Sequence, residues 1–443
     1  MQKSELCPLD GRYKELVAPI TAVFSERALM KNRICVELKY LHSLVRTLGL
    51  PSYEQLLHVF TEIEENVQII DRIFEIEKRT RHDVKAIEMV LREEFTSLGL
   101  MRFVPLLHFG LTSQDINSVA VWLQVRGARN VVARGFGEIA CALIELAEPN
   151  RRLAMLSRTH GQPATPTTLG KELLVFEERL RSANVEVLRV VARTKFGGAT
   201  VGFNAHGLAY PSIDWPRWAD DFLRQEFQME RQQHTTQIDH YDQMAQLFDA
   251  IKRCNSVLID FCRDMWQYIS MGYFRQTKAP GEVGSSTMPH KTNPINFENA
   301  EGNFMLANAL FEFMASKLPV SRMQRDLTDS TVTRNIGVAF GYTQLAIRKV
   351  LEGLGTITAD SERIRSDLEK HWEVVTEGIQ TVLRAAGIAN AYDMVKEHLL
   401  GDDTLTEASI AGFAEYLHSQ KLISQEDALK IVQLKPTNYL PVI

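Results

Sequence analysis

The sequence predicts an all-α protein organised around a central bundle of five long helices, and three observations predict it. From Tyr241 to Met271 there is no glycine or proline, while Met244, Leu247, Ile251, Cys254, Leu258, Phe261, Met265 and Tyr268 recur at steps of three and four. Leu169, Leu173, Phe176, Leu180, Ala183, Val187 and Val190 repeat the same step, and Gly197-Gly198 ends it. Nowhere does the chain show the strand–helix alternation of a dinucleotide-binding fold. At 1.5 Å per residue the first helix spans roughly 45 Å, and one apolar stripe of that length needs partners equally long.

At 443 residues the chain exceeds one ordinary hydrophobic core. We expect three domains: an N-terminal helical domain over 1–111, the long-helix bundle over 112–356 and a small helical domain over 357–443. The first opens with the turn Pro8-Leu9-Asp10-Gly11-Arg12-Tyr13 and continues in helical runs at about 20–48, 52–74 and 83–97. Asp83 stands where an N-cap belongs, with Lys85 in the first turn of the helix. Thr112-Ser113-Gln114-Asp115 then starts a much longer helix, reaching about Ala147, in which Thr112 or Ser113 caps and Asp115 lies at the positive end of the dipole. Two further long helices are expected at about 296–317 and 331–354. Seams longer than one chain needs suggest that bundles pack together. The stripes are scaffold, so the connecting loops carry function.

Composition narrows the function. An apolar fraction of 45% with 24% charged residues describes a folded soluble protein. A net charge of -5 leaves no electrostatic footprint for nucleic acid. The five cysteines fall in no C-x-x-C spacing, which suits reduced thiols in a cytoplasm. Neither a leader nor a bilayer-spanning apolar run is evident, so no membrane partner is expected. Phosphate-binding glycine loops, H-E-x-x-H and calcium loops are all missing, and we expect no metal and no cofactor.

What remains is acid–base chemistry in two polar loops. Pro280 to Pro294 holds Gly281, Gly284, Ser285, Ser286, His290, Lys291 and Asn293, a set suited to a substrate bearing carboxylates or phosphate. Ser157 to Pro166 holds His160, whose ordinary pKa of about 6.5 makes it a natural general acid. The pieces suit a β-elimination that breaks a C–N bond. A serine serves as base only if N–H groups and a cation such as Lys291 stabilise its alkoxide, and chemistry alone does not choose Ser285 over Ser286. Arg12 beside Tyr13 reads either as a surface turn or as a grip on phosphate and base. Arg322, Arg325 and Arg334, with Asp326 and Asp329, read either as a salt-bridged turn or as anion ligands.

Gly284-Ser285-Ser286-Thr287-Met288-Pro289-His290-Lys291-Thr292-Asn293-Pro294 resembles the signature of the fumarase/aspartase superfamily, whose members eliminate fumarate from succinyl compounds. The likeness extends over essentially the whole chain, through Asp10 to Tyr13, His82 to Ala86, Thr112-Ser113 with Asp115, Ser157 to Pro163, Thr235 to Ile238, and Arg322 to Arg334. It implies a three-domain fold whose bundles join four subunits into a helical core, a homotetramer with each active site shared by three chains. It also implies nucleotide substrates of purine synthesis: adenylosuccinate, giving AMP and fumarate, and the succinylaminoimidazole carboxamide ribotide, giving its carboxamide and fumarate.

Residue by residue, the resemblance makes His160 the general acid and Ser285 the general base. Arg12 and Tyr13 match nucleotide-binding positions. His82 and Asp83 match residues at the substrate, with His82 the rival acid, and Thr112 and Ser113 match carboxylate contacts. Gln237, Ser286, Lys291, Asn293, Asn299, Arg325, Ser330 and Arg334 match further substrate contacts, and Thr331, Val332 and Thr333 lie in the last of these strings. The resemblance departs at Arg81, where many relatives have asparagine. Nearest rivals are a superfamily lyase acting on argininosuccinate or on fumarate and malate, and a non-catalytic helical scaffold. Arg12-Tyr13 and the arginines at 325 and 334 favour a phosphorylated substrate, and a scaffold has no need of both His160 and Ser285.

Overall fold

The computed structural model describes residues 5–51, 56, 59–61, 63, 66–277, 288, 290–401 and 405–442. Among them the chain is largely helical. The pattern that reads as one helix from residue 20 to 48 is two, α1 (Ala18–Phe24) and α2 (Glu26–Thr47). Ser25 takes extended backbone between them, and its hydroxyl accepts the amide of Ala28 at 3.2 Å. A capped restart replaces continuous helix.

Helix α3 (Val67–Thr80) ends on Arg81, which is left-handed at φ 53°. Helix α4 (Asp83–Ser97) is capped by His82 rather than by Asp83: His82 is extended, and its Nδ1 accepts the Lys85 amide at 3.1 Å. Asp83 is already helical, where its carboxylate meets the Val84 amide at 2.8 Å and favours the positive helix end.

The long helices follow. They are α5 (Ser113–Ala147), α6 (Leu169–Arg189) and, after the short α7 (Asn204–Ala209) and α8 (Trp215–Phe227), α9 (Asp242–Ser270). Then come α10 (Ile295–Lys317), the short α11 (Thr328–Thr333) and α12 (Ile336–Leu354). No helix among the described residues is long and apolar enough to cross a membrane.

The chain forms two compact units. One comprises Met1–Gly137, Arg181–Ile259 and Asn299–Lys349. In it the fully buried rings of Phe248, Phe311 and Phe340 join α9, α10 and α12, with Phe311 5.1 Å from Phe248 and 5.2 Å from Phe340. Each such ring contributes about 1.5–3 kcal/mol by leaving water. Buried Asn255 adds direction, donating to Asn308 Oδ1 at 2.9 Å, and Asn184 donates to the Ala133 carbonyl at 2.9 Å to hold α6 on α5.

The other unit comprises Glu138–Leu180, Asp260–Glu298 and Val350–Ile443. Phe261 lies 5.3 Å from Phe176 and 6.0 Å from Phe297. Its C-terminal helices are α13 (Ser361–Leu368), α14 (Thr376–Ala385), α15 (Ala391–Leu399), α16 (Glu407–Ser419) and α17 (Gln425–Gln433). They close over a core that includes Leu368, Ile379, Leu383, Ala414 and Leu417.

Into that core reaches Leu156 of a hairpin, β1 (Ala154–Thr159) and β2 (Gln162–Thr168). Thr159 faces Gln162, so His160 and Gly161 form a two-residue turn with φ 54° and 78°. Positive φ at both positions is the tight hairpin geometry that follows strand twist, and Gly161 takes it without a Cβ penalty. Two shorter ladders complete the strands among the described residues: β3 (Arg193–Thr194) with β4 (Glu230–Arg231), and β5 (Phe274–Gln276) with β6 (Ile357–Ala359).

Candidate active site

The first unit carries a cleft of about 570 Å³. Its walls are the start of α2, the α3–α4 junction, the first turns of α5 and the segment from Arg325 to Asn335. These pieces are scattered from Phe24 to Asn335 along the chain. Buried polar networks hold them.

The start of α5 is fixed by Asp115, which is fully buried. Its carboxylate accepts the Thr112 amide at 2.8 Å, while the Asp115 amide donates to the Thr112 carbonyl at 2.9 Å, so the third helical residue satisfies the free N–H of the residue before the helix. The same carboxylate takes the amides of Gly197 and Gly198 at 2.8 and 3.0 Å and the ammonium of Lys195 at 2.6 Å. Lys195 is also fully buried and donates to the Gly198 carbonyl at 2.6 Å. Helix start and glycine turn are thereby one structure. Next to it Ser118 donates to Asp239 at 2.7 Å, and Asp239 also receives Gln232 and the Tyr241 amide. Burial nevertheless raises the Asp239 carboxyl, against the lowering pull of those bonds.

The approach to Thr112 is pinned as well. Gly110, at φ 65°, lies where a Cβ would come 2.6 Å from the His206 ring. Tyr40 donates its hydroxyl to the Phe109 carbonyl at 2.6 Å and lies 3.0 Å from His206 Nε2. His108 meets Glu37 at 2.5 Å. Only glycine fits the gap, and Tyr40 and Glu37 hold the two residues before it.

At the α3–α4 junction, buried Arg33 donates to Asn117 Oδ1 at 2.8 Å and meets Asp83 at 2.8 Å. Burial works to raise the Asp83 carboxyl, but the Arg33 charge and the Val84 amide outweigh it and hold it below the usual range. Glu77 is pushed up by burial and by Asp83. His82 accepts through Nδ1, so the neutral imidazole carries its hydrogen on Nε2. Arg81 and Arg334 are exposed at the cleft, with Arg334 3.9 Å from Glu26. Arg81 takes left-handed backbone, a conformation that asparagine tolerates better than most non-glycine residues.

The cleft therefore gathers Arg81, His82, Asp83 and Ser113 with Arg325, Ser330, Thr331, Thr333 and Arg334. Thr112 stands beside it as the cap, while Gln237 accepts from Arg325 at 3.2 Å. Val332 lies within α11. Tyr13 and Asn299 form a separate group, with Asn299 donating to the Tyr13 hydroxyl at 3.2 Å and Arg12 5.6 Å from the Tyr13 ring. In the second unit His160 is exposed at the hairpin tip. Thr292, between Lys291 and Asn293, accepts from Gln276 at 3.0 Å. Ser285 and Ser286 lie outside the described residues.

Several cleft residues escape sequence reasoning. Arg33, Gln114, Asn117 and Asp239 all line it, beside Asp329 of the charged turn read from the sequence. Asp329 is buried and accepts from Tyr241 at 3.0 Å and from Gln114 at 3.4 Å. Arg33 leaves one signal: a cation among Met30, Ile34, Val36 and Leu38, where an amphipathic helix buries its face, requires a specific partner.

Two family models match the chain, one described as "Lyase" over residues 11–308 and one as "Adenylosuccinate lyase C-terminal" over residues 321–440. The chain is 43% identical to the adenylosuccinate lyase of Dictyostelium discoideum, covering 99% of this chain and 96% of the relative. It is 40% identical to that of Haemophilus influenzae, at 98% and 96% coverage, and 38% identical to that of Escherichia coli K12, at 98% and 95%. In fold it is similar to a fumarate lyase from Mesorhizobium sp. BNC1, with a TM-score of 0.75 at 17% identity, covering 95% of this chain and 94% of that one. A 3-carboxy-cis,cis-muconate lactonizing enzyme from Pseudomonas putida gives 0.75 at 18% identity, with 95% and 93% covered. Near-complete coverage at this identity, on a helical fold shared with fumarate lyases, means that the chain belongs to the adenylosuccinate lyase family of the fumarase/aspartase superfamily and is a C–N lyase.

Proposed function

We propose that this lyase cleaves adenylosuccinate to AMP and fumarate, and the succinylaminoimidazole carboxamide ribotide to its carboxamide and fumarate, in a cytoplasmic homotetramer whose active sites are shared between chains. The observation that carries this reading is the donor set of the cleft. Arg81, Arg325 and Arg334 come together from two distant segments with the hydroxyls of Ser113, Ser330 and Thr331. Guanidinium groups suit planar carboxylates and phosphates, and hydroxyls complete the grip. A substrate with a phosphate at one end and a succinyl group at the other uses both.

In the mechanism Ser285 removes a proton from the succinyl carbon beside a carboxylate. The electron pair left on that carbon spreads into the carboxylate as an aci-carboxylate, which Thr112, Ser113 and Lys291 stabilise. His160 gives its proton to the departing nitrogen as the C–N bond breaks, and the pair returns to form the double bond of fumarate. A positioned acid of this kind is worth about 10²–10⁴ in rate. Ser285 acts as base only with its alkoxide held by N–H groups and by the Lys291 charge. Support for sharing comes from the hairpin. An acid at an exposed tip gains a dry, closed surrounding only when other groups cover it.

Ultraviolet absorbance during incubation with each nucleotide, with fumarate and the released nucleotide identified as products, tests the assignment. Turnover of both substrates is expected. A folded, assembled enzyme inert toward both would overturn it, and argininosuccinate would be tried next.

A further inference from the structure

We propose that Asp367 is a positioning residue for the proton donor, a single carboxylate that braces the arm presenting His160 and the stem from which the signature stretch departs. This rests on the reading of His160 as general acid. His160 is exposed at the hairpin tip, so the anchoring of the hairpin sets where its ring is presented.

That hairpin is held at two levels. Near the tip, Arg158 donates to Asp367 Oδ2 at 3.0 Å. At the base, Thr165 bonds Glu377, which also accepts the Tyr439 hydroxyl at 3.2 Å, and Leu156 is sunk in the C-terminal core. The tip contact is the informative one, since Arg158 lies only two residues from His160. The same Asp367 oxygen accepts the hydroxyl of Tyr273 at 2.6 Å. Tyr273 is fully buried, its carbonyl takes the Asp360 amide at 2.8 Å, and the next residue opens β5. Strand β5 ends at Gln276, which donates to the carbonyl of Thr292 within the signature string.

Burial works to raise the Asp367 carboxyl, but bonds from Tyr273 and Arg158 and the Arg158 charge hold it below the usual range. It stays ionised while the enzyme works. Helix α13, which carries Asp367, thereby serves the chemistry without touching substrate.

The test uses the full-length enzyme. Asp367→Asn keeps the shape but removes the charge that holds Arg158, and kcat should fall about tenfold to a hundredfold, the scale of an ångström-sized misplacement, with KM within about twofold of wild type. Asp367→Glu, which can reach both partners, should recover part of the loss. Arg158→Gln leaves the buried Tyr273–Asp367 bond intact and should reproduce the same split, which covers a failure of the Asp367 variants to fold. Unchanged kcat in Arg158→Gln, or kcat and KM worsening together in step with a lowered melting temperature, would overturn the proposal. His160→Ala run beside them separates the two layers. An active His160→Ala enzyme overturns both, whereas an inactive one beside a normal Arg158→Gln enzyme overturns the positioning role alone.

Discussion

Lys195→Met probes the buried pair that fixes the start of α5. Both side chains are fully buried, and methionine retains most of the apolar stem, so the substitution removes a charge more than it removes packing. Two bonds of 2.6 Å disappear, to Asp115 and to the Gly198 carbonyl. Removing one partner of a buried pair costs about 3–5 kcal/mol. Asp115 keeps the amides of Thr112, Gly197 and Gly198, each a charge-assisted bond, so its charge is not stranded. The lower end, about 3 kcal/mol, is therefore expected. Urea unfolding measures it, at one fixed chain concentration because assembly adds to apparent stability. Asp115→Asn with Lys195→Met removes both charges and should lose less than the two single changes summed, by about 0.5–3 kcal/mol. Because Thr112 and Ser113 hang on this network, the single variant should also lose kcat/KM. A Lys195→Met enzyme within about 0.5 kcal/mol of wild type, or a double variant that is simply additive, would refute the reasoning.

Three further outcomes follow from the same geometry. Burial works to lower the His108 imidazole, but Glu37 at 2.5 Å, with Glu88 and Asp115, outweighs it and leaves the folded-state pKa raised. That stabilisation is complete below the unfolded pKa of about 6.5 and fades as pH rises through the folded value, so the stability deficit of His108→Gln should be largest in acid and shrink in alkali. A deficit growing with pH would contradict it. Tyr40→Phe strips the donor from the Phe109 carbonyl and should cost about 1–3 kcal/mol in urea unfolding; no measurable loss would show that the carbonyl finds another donor. Arg334→Ala should raise KM about tenfold or more, the worth of one charge-assisted bond, while Arg334→Lys recovers part of it. An unchanged KM would remove Arg334 from the substrate.

Sequence periodicity reads well where one physical rule acts alone. Met244, Leu247, Ile251, Cys254, Leu258, Phe261 and Met265 are all buried on α9, because a long amphipathic helix has only one way to leave water. It reads poorly where a local bond competes with the pattern. Ser25 interrupts an otherwise continuous stripe, and His82 takes the cap expected of Asp83 because its ring nitrogen reaches the Lys85 amide. The β1–β2 hairpin is hidden for another reason: its strands are short and interrupted by Pro163 and Pro166, and only the His160-Gly161 pair marks the turn.

The cleft divides in the same way. Arg81, His82, Ser113, Arg325 and Arg334 could be nominated from loop chemistry and family resemblance, and the fold brings them together. Arg33 on Asp83 and Lys195 on Asp115 could not, since each pair joins residues 50 or more positions apart and neither has a local motif. Tyr13 with Asn299, separated by 286 positions, is the extreme case.

In the proposed shared site His160 gives a proton and Ser285 takes one, and a mixture of two inactive enzymes puts this to the test. His160→Ala and Ser285→Ala chains are each expected to lose nearly all turnover of adenylosuccinate while remaining folded. Combined under conditions of verified subunit exchange, they should regain a fraction of wild-type activity, because some sites then receive an intact histidine from one chain and an intact serine from another. No recovery after confirmed exchange would contradict sharing, and substantial activity in either single variant would contradict the assigned acid and base.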